Sequence, residues 1–164
     1  MPTAREGFVS IASGSSHVYG VRADGSVLGW GSNIYGQTKT PVGLGSVLQV
    51  SCGAAHTYAL RSDGTLAGWG GGLGSTGFSS DCGQTSTPPG LGAAAMVSCG
   101  AYHAYALLTS GTVVGWGGGL NVRDGWSADC GQTSTPSNLG IVTQVACGGY
   151  HTYALKPDGT LIGW

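Results

Sequence analysis

A histidine followed thirteen residues later by a tryptophan occurs four times in this chain: His17/Trp30, His56/Trp69, His103/Trp116 and His151/Trp164. The steps between successive histidines are 39, 47 and 48 residues. Three copies share a longer stretch: CGAAHTYALRSDGTLAGW from Cys52, CGAYHAYALLTSGTVVGW from Cys99 and CGGYHTYALKPDGTLIGW from Cys147. A looser copy, SGSSHVYGVRADGSVLGW, begins at Ser13. Periods of this size mark a stack of like units, none of which can bury its apolar face alone.

Each unit reads as strand, turn, strand. In His56–Arg61 the larger residues His56, Tyr58 and Leu60 alternate, which is the period of a strand. Asp-Gly at 24–25, 63–64 and 158–159, and Ser-Gly at 110–111, supply the residues of a tight hairpin turn. The return strand (TLAGW, TVVGW) is apolar at neighbouring positions, which predicts burial on both faces with Gly68 admitting a close neighbour. A further strand, VSCG or VACG, leads into each hairpin. Repeat units start near residues 8, 47, 94 and 142, after a polar lead-in over 1–7.

Composition agrees with an all-β repeat protein. Thirty-three glycines in 164 residues, with 8% charged residues, suit many tight turns and few solvated helical faces. At 41% hydrophobic the chain can bury a core. The six basic residues are scattered and the net charge is −1, so nothing here is built to track a phosphate backbone, and nucleic acid is not an expected partner. No stretch has the length and apolarity of a membrane span or leader core.

The pattern WG-x-N-x-x-GQT-x-x-P-x-x-L, followed by V-x-x-V-x-CG-x-x-HT-x-AL-x-x-DG-x-L-x-x-WG, resembles the regulator-of-chromosome-condensation repeat over residues 8–164. The short Gly-Gln-Thr…Pro connection is more similar to the bacterial version found in the propeller-type β-lactamase inhibitory protein than to the nucleotide-exchange version. The resemblance implies a β-propeller, usually seven-bladed, that acts through protein contacts on the faces of its disc. Three full periods and one hairpin correspond to an open arc of about four blades, resembling a fragment of a seven-bladed ring, with the last blade short of its final strand. Such an arc is expected to self-associate through its exposed ends. A β-trefoil is the rival fold, but it would hold three tryptophan hairpins rather than four.

No catalytic constellation emerges. Every histidine sits at the same phase of the repeat, whereas a catalytic residue is usually singular, so a non-enzyme with no cofactor is expected. The Cys-x3-His pairs offer two ligands per unit where zinc needs four; they read as a buried cysteine and a histidine bonded to turn backbone. The tryptophans read as blade-packing residues. The residues that break the repeat are the binding candidates: Tyr35 in the short connection, and Phe78, Asp81, Arg123, Asp124, Trp126 and Asp129 in the long segments between Trp and Gln. Insertions of this kind project from one face of a repeat array, and aromatics beside an arginine suit a binding hot spot. The expected function is a non-catalytic protein-interaction scaffold with an unidentified protein partner; the alternative is a carbohydrate-binding repeat protein with rings stacked on sugars.

The cysteines fall into strand residues Cys52, Cys99 and Cys147 and loop residues Cys82 and Cys130. The unit with Ser13 in the strand position also has no loop cysteine. This co-occurrence predicts disulfides Cys52–Cys82 and Cys99–Cys130, and with them a secreted or periplasmic protein. A second pairing, Cys82–Cys99 with Cys130–Cys147, and free thiols in a cytoplasmic protein are the alternatives.

Overall fold

A computed structural model of the chain describes residues 7–71, 82–118 and 131–164. These form four antiparallel sheets of three strands each. Sheet one holds β1 (Phe8–Ser13), β2 (His17–Arg22) and β3 (Val27–Gly31). Sheet two holds β4 (Val47–Cys52), β5 (His56–Arg61) and β6 (Leu66–Gly70). Sheet three holds β7 (Ala94–Cys99), β8 (His103–Leu108) and β9 (Val113–Gly117), and sheet four β10 (Gln144–Cys147), β11 (Thr152–Leu155) and β12 (Leu161–Gly163). These are the blades of an open propeller arc. The fourth blade carries the same three strands as the others, so the expectation that it lacks its last strand is corrected.

The turns follow from their residues. Gly64 has φ 80°, and Asp63 Oδ1 accepts the Thr65 backbone N–H at 2.9 Å. Asp24 and Asp158 do the same for Ser26 and Thr160, at 2.8 and 2.9 Å. A left-handed turn residue closed by an aspartate is what a two-residue hairpin requires. On the return strand, a Cβ at Gly68 would stand 2.5 Å from the Tyr58 ring. The close neighbour expected at this glycine is therefore the tyrosine of the paired strand.

Hydrophobic burial lies between blades. One cluster joins Tyr19 and Val21 of blade one to Val47, Val50, Cys52 and Trp69 of blade two. A second joins Tyr58 and Leu60 to Val97, Cys99 and Trp116, and a third joins Tyr105 and Leu107 to Val142 and Val145. A polar relay built on the tryptophan crosses each gap. Trp69 Nε1 donates to Tyr19 Oη (3.1 Å) and to the Gln37 carbonyl (3.0 Å), while the rings meet edge-on at 5.3 Å. Tyr19 Oη also shares a hydrogen bond with Thr40 Oγ1, 3.0 Å away, in which either hydroxyl can donate. Trp116–Tyr58–Thr87 and Trp164–Tyr105–Thr135 repeat the arrangement. The repeated tryptophan is a packing residue, and what it packs on is the preceding blade.

The histidines also act across blades, not on their own turns as the sequence suggests. His17 Nε2 is 2.8 Å from Thr57 Oγ1, and His103 Nε2 is 3.1 Å from Thr152 Oγ1. Each threonine hydroxyl donates onward to a glutamine carbonyl, Gln37 or Gln132. The histidine nitrogen must then be the N–H donor. In the middle gap Ala104 stands where the other gaps have threonine, and fully buried His56 has both ring nitrogens without a hydrogen-bond partner among the described residues. Ala104→Thr is expected to restore the bond to His56 and a donor to Gln84. Its side chain enters surroundings that already hold threonine in two other gaps. Stability should rise by about 1 kcal/mol, seen as a higher urea midpoint at unchanged m-value.

The disulfides expected from the sequence find no support among the described residues. Cys52, Cys82, Cys99 and Cys147 are all thiols. The end of the entering strand and the segment after tryptophan do share a blade edge, but the thiols point elsewhere. Cys52 Sγ donates across the gap to the Ala12 carbonyl (3.5 Å), Cys99 Sγ to Ser51 (3.4 Å) and Cys147 Sγ to Ser98 (3.4 Å). Cys82 is set apart, its backbone N–H on Gln84 Oε1. Cys130, the proposed partner of Cys99, lies outside the described residues, yet the Cys99 thiol is already engaged with Ser51. Among the described residues Cys52, Cys82 and Cys99 are thiols, which gives the pairings no support.

Candidate binding face

All the hairpin turns lie at one end of the arc, and the strand ends that precede each histidine lie at the other. At this second end β3, β6 and β9 finish, and the chain beyond each is pinned to the residue before the histidine. Ser32 N donates to the Ser16 carbonyl (2.8 Å), Gly71 N to Ala55 (2.8 Å) and Gly118 N to Tyr102 (2.7 Å). The long segments between Trp and Gln therefore leave the fold at this end. Phe78, Asp81, Arg123, Asp124, Trp126 and Asp129 belong to these segments and lie outside the described residues.

Tyr35, the remaining candidate, is placed here, partly exposed, its N–H on Gln37 Oε1 at 2.8 Å. Two residues missed in the sequence join it. Tyr102 and Tyr150 face each other with ring centroids 6.0 Å apart, and Tyr150 is 45% exposed. Burial, followed by the proximity of Tyr150, Cys82 and Tyr35, pushes the Tyr102 hydroxyl pKa up. Three tyrosines, from the first, third and fourth units, thus lie on one surface. A signal was available: the position before the histidine reads Ser16, Ala55, Tyr102, Tyr150, so two of four copies place a large ring where the others are small.

Beside this cluster, on the arc's inner side, lies a depression of roughly 280 Å³ lined by Ser13, Cys52, Cys99 and Cys147 with the two residues after each. Burial pushes the Cys52 and Cys147 thiols up to about 11, and Cys99 higher still. Such thiols stay protonated and are poor nucleophiles and poor metal ligands. Among the described residues no cluster of three or more His, Cys, Asp or Glu could hold a metal ion. What the described residues offer at this end is neutral, aromatic and anchored on strand ends, the chemistry of docking.

Comparison with known proteins agrees with this architecture. The family model described as the regulator of chromosome condensation (RCC1) repeat matches residues 8–37, 47–84, 97–121 and 142–164. No characterised protein sequence matches significantly. Among solved structures, human WBSCR16 is similar at 22% identity, with a TM-score of 0.74 over 99% of this chain and 49% of that one. Prp20p from Saccharomyces cerevisiae, reported with its binding properties to Gsp1p and histones, is similar at 18% identity and a TM-score of 0.74, covering 99% and 46%. The CRINKLY WD40 ectodomain of the Arabidopsis thaliana receptor kinase ACR4 is similar at 18% identity and a TM-score of 0.68, covering 96% and 50%. The chain spans about half the length of these proteins. With four matches in register and four blades to carry them, the chain belongs to the regulator of chromosome condensation repeat family.

Proposed function

We propose that this protein is a non-catalytic interaction scaffold that docks a protein partner on the end bearing Tyr35, Tyr102, Tyr150 and the Trp-to-Gln segments. The observation that carries the reading is a division of labour. The repeated tyrosines, histidines, tryptophans and threonines hold neighbouring blades together, while large residues that break the repeat gather at one end. Prp20p, with the same fold, is reported to bind proteins, which supports the class of partner and not its identity.

The test is affinity capture from the source organism with the wild-type chain, a Tyr102→Ala/Tyr150→Ala double variant, and Asp63→Ala at the opposite end as control. The double variant should lose at least tenfold of the captured partner while its melting temperature moves by no more than a few degrees, since both rings are partly solvated. Asp63→Ala should capture normally. Equal capture by all three would refute the assignment of this end, and a glycan-array signal abolished by the double variant would replace the protein partner with a carbohydrate.

A further inference from the structure

The gap between blades two and three holds a site that its neighbours lack, and it lies wholly inside the array. In the flanking gaps a threonine hydroxyl is the junction of three groups. Thr57 Oγ1 is 2.8 Å from His17 Nε2, 3.1 Å from the Gln37 carbonyl and 4.0 Å from Cys52 Sγ. Thr152 Oγ1 repeats this with His103 Nε2, the Gln132 carbonyl and Cys147 Sγ, at 3.1, 3.2 and 3.9 Å. In the middle gap the counterparts are His56 Nε2, the Gln84 carbonyl and Cys99 Sγ, and Ala104 takes the threonine's place.

The repeat keeps its shape around that alanine. Ala104 pairs with Trp116 in the register in which Thr57 pairs with Trp69. Trp116 Nε1 donates to the Gln84 carbonyl at 3.1 Å, against 3.0 and 3.1 Å in the other gaps. The carbonyl has therefore not moved in to meet the histidine. What sets His56 apart is one atom. Nδ1 lacks a hydrogen-bond partner among the described residues in His17 and His103 as well, whereas Nε2 lacks one only in His56. The His56 ring is fully buried, out of reach of bulk solvent. Buried polar atoms in native proteins are bonded either to protein or to ordered water.

We propose that this gap binds one structural water, seated where the flanking gaps place the threonine hydroxyl. The water accepts the His56 Nε2–H and donates one hydrogen to the Gln84 carbonyl and the other to Cys99 Sγ. A threonine hydroxyl has a single hydrogen to divide between carbonyl and sulfur, and water has two. The Cys99 thiol hydrogen goes to the Ser51 carbonyl, which leaves a sulfur lone pair for this bond. Three bonds are usual for a buried water, and the space of a methyl and a hydroxyl suits its share of liquid volume, roughly 30 Å³. The arrangement fixes His56 as the Nε2–H tautomer.

Oxygen-17 relaxation dispersion counts long-lived internal waters, and it tests the site on the 164-residue chain with Ala104→Thr and Ala104→Val. Both side chains fill the position, so each variant should hold one long-lived water fewer than wild type. Urea midpoints then separate the two. Threonine replaces the bonds to His56 and Gln84, and its midpoint should rise. Valine has the same shape, expels the water and offers His56 nothing. Its midpoint should fall, with the folding equilibrium constant lowered about fivefold or more. Equal water counts in wild type and Ala104→Thr would overturn the proposal, and that comparison stands even if the valine variant does not fold. A raised midpoint for Ala104→Val would overturn it too, since that is the effect of filling a dry apolar cavity.

Discussion

Acidification from pH 8 to pH 5 should destabilise this protein steeply, well above the range in which carboxylates titrate. His17, His56 and His103 are buried in the gaps, and desolvation lowers the pKa of each, to about 3 for His56 and about 4 for His103. The titratable groups that face these rings are the neighbouring histidines and, edge-on, Tyr19, Tyr58 and Tyr105. In the unfolded chain each histidine titrates near 6.5. The folded-state value is lower, so the unfolded state binds more protons between the two. Stability is fully present above about 6.5 and falls as the pH drops below it, levelling off only near the folded values. His56 alone contributes a loss of about 2 kcal/mol by pH 5, with a limiting slope of about 1.4 kcal/mol per pH unit; His17 and His103 add losses of the same sign. Asp24, Asp63 and Asp158, whose pKa values are lowered by hydrogen bonds to Ser26, Thr65 and Thr160, lose their contributions only at more acid pH. Urea titrations at half-unit pH steps should show the decline beginning near pH 6.5. His56→Leu should flatten that slope whatever it does to the absolute stability, and an unchanged slope would exclude His56 as its source.

The fold was legible in this sequence because the chain repeats itself. Four copies in register exposed the hairpin turns at Asp24-Gly25 and Asp63-Gly64, the inner strand ending at Cys52, and the packing role of Trp69. The same repetition hid which copy each residue touches. Trp69 has a Tyr19 in the preceding blade and a Tyr58 in its own, and identical spacing cannot distinguish them. The cysteines show the same ambiguity: the spacing suggests a partner for Cys52 within its own blade, while its thiol crosses to Ala12 of the blade before. Information about partners resides where the repeat is broken. Ala104 in place of threonine marks the gap where His56 has no ring-nitrogen partner among the described residues, and Tyr102 with Tyr150 mark the proposed docking end. Phe78, Arg123 and Trp126 were chosen by the same logic and remain proposals.

The stability of a stacked array depends on its weakest joint, and here one tryptophan is the largest side chain at each joint. Trp116→Ala should cost about 3–5 kcal/mol, the usual consequence of deleting a large buried aromatic. It removes the edge-on contact with Tyr58 at 5.3 Å and the indole N–H from both Tyr58 Oη (2.9 Å) and the Gln84 carbonyl (3.1 Å). Trp116→Phe separates the two contributions, because it keeps most of the apolar contact and loses only the donor; about 1–2 kcal/mol is expected. The position of Trp116 adds a qualitative signature. It joins blade two to blade three, at the gap already weakened by Ala104, so loosening it uncouples the first half of the array from the second. Equilibrium urea unfolding of Trp116→Ala, followed by circular dichroism and tryptophan fluorescence, should then give non-coincident transitions and a reduced apparent m-value. A single transition at the wild-type midpoint would mean that the tryptophan relay does not hold the blades together.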